Sequence, residues 1–163
     1  YRHGHRRIAA LISRPNDQSI SQLRYEGYVQ ALESHGIPVD PELVISTGGF
    51  GAKDAYRAVQ EKMAENVDFT ALFAIADSMA IGAMRALMDA GRRIPEDCSV
   101  IAIDGLELSA YIEPPLTTLC QPMEEMGRRS AEILLDMVRH KGSHACELLP
   151  TTLRQGRSVA APR

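Results

Sequence analysis

The chain is poor in cysteine, in aromatic residues and in basic excess, and it has no long apolar run. Three cysteines, Cys98, Cys120 and Cys146, are too few and odd in number for a disulfide scaffold, so a reducing compartment, the cytoplasm, is expected. Eighteen Lys and Arg against 21 Asp and Glu leave a formal charge of −3, which excludes gripping a nucleic-acid backbone by charge alone. The only early apolar stretch, residues 8–12, is shorter than an export-signal core and meets Arg14-Pro15, and nothing approaches the ~20 apolar residues a bilayer requires. There is no Gly-x-Ser-x-Gly elbow and no carboxylate pair beside a histidine, so neither a catalytic residue nor an enzyme is expected. What is present is 163 residues, 45% hydrophobic and 24% charged, enough for one globular core. The opening Tyr1-Arg2-His3-Gly4-His5 reads as the continuation of a longer protein.

Short unbroken apolar runs alternate with segments of helical period. Strands are expected over 6–13, 43–47, 70–76, 99–103 and 116–121, the first around Ile8-Ala9-Ala10-Leu11-Ile12 and covered on both faces. Helices are expected over 19–35, 52–63, 78–90 and 123–141. Ser19 and Gln22 read as a capping box, ahead of a stripe of Ile20, Leu23, Gly27, Tyr28, Ala31 and Leu32. Pro122 suits the first turn of the last helix, Gly142 its stop, and 148–153 and 158–160 short edge strands. The fold class is α/β, an open, doubly wound, mostly parallel sheet. Such sheets bind ligands beyond the carboxyl ends of their strands, here residues 13–21, 47–52, 76–78, 103–107 and 120–122.

Arg24, in the second turn of the first helix, and Asp104, ending a buried strand, offer donors and an acceptor for a polar ligand, or else a surface arginine and an Asp-Gly turn. Phe50 is one of only three phenylalanines and sits in the turn Gly48-Gly49-Phe50-Gly51, where it is either a flat rim for a sugar or base or a plug beneath the turn. That turn fits neither phosphate-binding fingerprint. Asp77 and Ser78 read first as a helix cap and second as cleft groups. His140, His144 and Cys146 read as surface rather than as metal ligands, and no metal or cofactor is expected. The third helix is apolar almost all round: Ala80, Ala83, Leu87 and Ala90 would face the sheet, leaving Ile81, Met84, Arg85 and Met88 for a second subunit or for burial within the chain.

The chain resembles the lac repressor family of bacterial transcription regulators. The motifs are Gly4-His5-Arg6-Arg7-Ile8-Ala9, Arg24-Tyr25-Glu26-Gly27-Tyr28, Asp77-Ser78-Met79-Ala80-Ile81-Gly82-Ala83, Ile94-Pro95-Glu96-Asp97-Cys98-Ser99-Val100-Ile101, Asp104-Gly105 and Pro114-Pro115-Leu116-Thr117-Thr118 with Gln121-Pro122. The resemblance implies the carboxyl lobe of an effector-binding region shaped like the periplasmic sugar-binding proteins. Helix 123–141 would cross to a missing amino lobe. It implies Arg24, Phe50 and Asp104 as ligand contacts, Gln121 as a hinge-side contact, and Ile81, Met84, Arg85 and Tyr111 as dimer-interface residues. Ala76 departs from the family, many members of which carry Ser or Asn there.

The expectation is therefore the ligand-sensing part of a cytoplasmic, homodimeric repressor. It would bind a small polar effector, a sugar or derivative, unchanged, and meet operator DNA only through an amino-terminal head outside this chain. A periplasmic-type sugar receptor and a nucleotide-binding enzyme are the alternatives. The apolar side of the last helix, including Met123, Met126, Ile133, Leu134 and Val138, predicts self-association where its partner lobe is absent.

Overall fold

Runs of residues apolar on both sides of the chain can be stable only where both faces of a sheet are covered, which favours parallel pairing. In the computed structural model, which describes residues 1–14, 20–140 and 146–163, the strands β1 (Ile8–Ser13), β2 (Val44–Thr47), β3 (Ala71–Ala74), β4 (Ser99–Asp104) and β5 (Thr117–Cys120) run parallel. The short β6 (Thr152–Arg154) closes one edge antiparallel to β5, giving the order β2-β1-β3-β4-β5-β6. Helices α1 (Ile20–Glu33), α2 (Ala52–Ala64), α3 (Asp77–Asp89) and α4 (Met123–His140) follow β1, β2, β3 and β5. The expected α/β, mostly parallel sheet is borne out, and the chain reverses its direction of travel between β1 and β3.

The two faces are covered unequally. Ala9, Leu11, Leu72, Ala74, Val100 and Ala102 are buried to the last few per cent of their surface. They lie beneath α2 and α3, where right-handed crossovers place both helices. On the opposite face Tyr28 of α1 stacks on Phe73, ring centres 6.2 Å apart. There Ala10, Phe73 and Ile101 form one row of the register, and Ile101 remains 36% exposed on a central strand. Cavities of about 400 and 190 Å³ lie on this face, the larger under α1 between Gly27, Ala31 and Ile103, the smaller between Ile8 and Ile101. The expected stripe of α1 is thus only half used: Tyr28 and Leu32 are buried, Gly27 and Ala31 line the larger cavity, and Ile20 and Leu23 are exposed.

α2 and α3 approach each other closely at Gly82 and Ala52. A Cβ on Gly82 would fall 2.0 Å from the Ala52 carbonyl oxygen, so glycine is what lets the backbones meet. This burial corrects the reading of α3: Met84 is 1% exposed in the core, whereas Ala90, expected against the sheet, is exposed. Its outward residues are Arg85 and Met88, with Ile81 partly covered. The stripe of α4 lies open, with Met123, Leu134, Leu135 and Val138 exposed.

Other boundaries moved for local reasons. Ser19, and with it half of the capping box, lies outside the described residues, and the Gln22 amide donates to Glu26 at 2.9 Å instead of reaching back. Pro122 precedes α4, its carbonyl accepting from Met126 N–H. Lys141, Gly142 and His144 lie outside the described residues, and among those described no His, Cys, Asp and Glu cluster could hold a metal. Residues 158–160 do not pair as a strand; Ser158 instead bonds to Val100 and Thr117 through its hydroxyl.

Substituting Gly82→Ala must push α2 off α3 and is expected to cost about 1–3 kcal/mol by overpacking, whereas Gly127→Ala on open α4, with no atom within 4 Å, should stabilise by about 0.5–1 kcal/mol. Urea unfolding of both variants reads the opposite signs. His5 is buried as a neutral ring, its Nε2–H donating to the Ala160 carbonyl at 2.8 Å and its Nδ1 accepting from Thr70 Oγ1 at 2.9 Å. Burial lowers its pKa from 6.5. The unfolded chain then takes up the proton first, so the stability His5 contributes is complete above about pH 6.5 and is lost as pH falls below it. Unfolding free energies on either side of that pH should show this fall, and His5→Gln should remove it.

Candidate functional site

At the carboxyl ends of the parallel strands a guanidinium, a carboxylate and an amide from distant segments meet, with the charged pair largely shielded. Arg24 leaves the second turn of α1, crosses the strand ends and donates through Nη1 to the Ile75 carbonyl beyond β3. Its Nη2 lies 3.1 Å from Asp104 Oδ1 at the end of β4, both side chains being largely shielded. The same Oδ1 accepts from Gln121 Nε2 at 2.7 Å, and the Asp104 carbonyl accepts from Gln121 N–H at 3.1 Å. Both side-chain bonds fall on one oxygen, so Oδ2 stays available as an acceptor.

Asp104 adopts φ +135°, outside the region an L residue favours, and Gly105 follows at +79°. Gly105 is wedged against β5: a Cβ there would lie 2.6 Å from Cys120 Sγ. Strain of this kind persists where its surroundings over-determine it, and it marks functional positions. In place of the expected Asp-Gly turn, β4 runs through Asp104 and the chain leaves it through two successive positive-φ residues.

Phe50 stands at the neighbouring rim, 38% exposed, after β2. Its turn is braced by Thr47 Oγ1, which bonds to the Ile12 and Gly49 carbonyls, and by Ser78 Oγ, which donates to the Phe50 carbonyl at 2.7 Å. Phe50 is therefore exposed and not a plug beneath the turn. Arg24 also edges the 400 Å³ cavity under α1, while Asp104 faces the open strand-end surface.

Asp77 requires correction. It is neither a cleft group nor the cap of α3, which is Ala76, but a fully buried carboxylate. It accepts from Leu106 N–H at 2.8 Å, Ser109 Oγ at 2.7 Å and Thr118 Oγ1 at 2.5 Å. Beside it, Ser109 and Arg154 have no periodic or motif signal, and Thr118 stands in the motif Pro114-Pro115-Leu116-Thr117-Thr118 without any sign of this role. Of the residues expected at a dimer face, Arg85, Met88 and Tyr111 are exposed, Ile81 is half-buried and Met84 is withdrawn into the core. Arg85 is held against Asp89, Nη2 to Oδ1, at 2.8 Å.

Residues 1–159 match the profile of the periplasmic binding protein-like domain family. The chain belongs to that family. The repressor CytR of Escherichia coli K12 is 38% identical over 155 residues, covering 91% of this chain and 45% of CytR. A solved complex of the transcriptional regulator CelR with cellobiose superposes with a TM-score of 0.88 at 35% identity, over 96% of this chain and 48% of that one. A regulator of the LacI family from Enterococcus faecium with bound ribose gives 0.85 at 31% identity, over 98% and 59%. The resemblance to lac repressor-type regulators is borne out, and the chain spans less than half the length of the curated relatives it matches. Among the described residues no helix is long and apolar enough to cross a membrane.

A double-mutant cycle on Arg24→Met and Asp104→Asn should give a coupling of about 1 kcal/mol, at the upper end for an ion pair because both partners are shielded. Additive losses in urea unfolding would contradict the pairing.

Proposed function

We propose that this chain is the effector-sensing part of a transcription regulator that binds a small, uncharged, polyhydroxylated ligand, a sugar or derivative, without chemical change. The observation that carries the reading is the convergence of Arg24, Asp104 and Gln121 on the strand-end surface, with Asp104 held in a strained conformation and one carboxylate oxygen unengaged. A guanidinium donor and a carboxylate acceptor side by side suit vicinal hydroxyls, and the Phe50 ring beside them suits the apolar face of a sugar. Relatives that carry cellobiose or ribose, and are themselves regulators, support this class over a periplasmic receptor.

The strand-end surface is one wall of the site. The open stripe of α4, which begins two residues after Gln121, fits a helix that packs on a second lobe, so a ligand held by both lobes would favour one arrangement of them. Exposed Arg85, Met88 and Tyr111 support a homodimer face, and operator DNA would be met through a separate head. Neither catalysis nor a cofactor enters this reading, and the cytoplasm is its setting.

Calorimetric titration of the full-length protein with a panel of sugars beginning with ribose and cellobiose tests it. One of them should bind, and Arg24→Ala should weaken that binding by about 1.5–3 kcal/mol, roughly ten- to a hundredfold, through loss of a charged hydrogen bond. Unchanged affinity in Arg24→Ala would place the site elsewhere.

A further inference from the structure

We infer that Asp77 and Arg154 are positioning residues, a two-sided clamp on residues 106–109, buried on the Asp77 side and partly exposed on the Arg154 side, that fixes both the strained presentation of Asp104 and the exposed apolar cap formed by Leu106, Leu108 and Tyr111. The two charged groups do not pair tightly, their nearest atoms standing 4.0 Å apart. Instead they take opposite sides of the same residue: Leu106 N–H donates to Asp77 Oδ2 at 2.8 Å, and the Leu106 carbonyl accepts from Arg154 Nη2 at 2.9 Å. Ser109 repeats the pattern three residues on. Its hydroxyl donates to Asp77 at 2.7 Å and its oxygen accepts from Arg154.

Each jaw is anchored in a secondary-structure element. Asp77 opens α3, where the helix dipole favours a carboxylate, its other oxygen is taken by Thr118 of β5, and α3 is locked to α2 at Gly82. Arg154 belongs to β6, and its buried Nε has no bond partner among the described residues, so its placement serves the bonds made by Nη2. Unsatisfied burial is costly and persists where other contacts offset it.

Only Gly105 separates the clamped Leu106 from Asp104. With Leu106 held on one side and the Asp104 carbonyl bonded to Gln121 N–H on the other, the two positive-φ residues between them cannot relax into ordinary backbone. On the far side the same fixed segment carries Leu108 and Tyr111, 62% and 77% exposed. The effector carboxylate and the apolar cap are therefore set by one buried carboxylate and one partly exposed guanidinium. The consequence for the effector rests on the function proposed above; the clamp itself does not.

The cysteines supply a test that needs no effector. Cys120 Sγ packs on Gly105 inside the clamped loop, whereas Cys98 is fully buried in the core, its thiol pushed up to about 12 by burial. In a Cys146→Ser background of the 163-residue chain, the rate of thiol labelling by an aromatic disulfide reagent should rise at least about tenfold at Cys120 in Arg154→Met, with Cys98 still unreactive. Asp77→Asn should do the same, and Arg154→Lys should fall between Arg154→Met and the parent. An unchanged Cys120 rate, or Cys120 and Cys98 rising together as in general loosening, would overturn the clamp. Arg154→Met should also weaken sugar binding by the full-length protein; if no sugar binds the unaltered protein, the effector reading fails while the Cys120 result still decides the clamp.

Discussion

The pairing of β1 with β2 on one side and β3 on the other governs the rest of the site. Because the chain leaves β1 in one direction and returns past it in the other, the connections that follow β1 and β3 part company over the sheet edge. Arg24 spans that parting, tied to the Ile75 carbonyl on one side and to Asp104 on the other. A sheet wound in one direction throughout would bring a loop over the same place. The helices matter mainly for what they hold in register: α1 delivers the guanidinium, and α3 secures the loop that ends in the carboxylate.

Two aspartates show how environment divides one side chain between two tasks. Asp77 has three hydrogen-bond donors and no solvent, and it organises backbone. Asp104 has two donors on one oxygen and is partly exposed, which leaves its other oxygen available as an acceptor. Composition and spacing cannot separate them, since both follow a buried strand and precede a turn or helix.

That distinction marks the limit of what the sequence discloses. The strands were legible because each is an unbroken apolar run, and Asp104 because the strand-end rule covers residues 103–107, whereas Arg24 lies outside those segments and was set beside it by the family resemblance. Met84 was misplaced because a helix apolar all round gives no phase, and the deciding contact is made by Gly82, whose lack of a side chain leaves no hydrophobic signal. Asp77 was misplaced because its donors come from residues 29 to 41 positions away, a separation invisible to any local pattern. The half-open face around Ile101 escaped notice for the opposite reason: the run is apolar on both sides, yet the helix expected over it reaches only part of the way.

In the function proposed above, the braced turn around Phe50 would bear on selectivity. With the Phe50 carbonyl held by Ser78, and α3 seated on α2, the backbone beneath the ring would have little freedom left to surrender to a guest bound as proposed above. Low ordering entropy favours tight capture of a matching contour, and the same stiffness penalises one that is too wide or too deep, because the rim cannot yield to accommodate it. Discrimination between stereoisomers of similar polarity would then come from shape at this aromatic edge, with the neighbouring charged pair contributing to all of them alike.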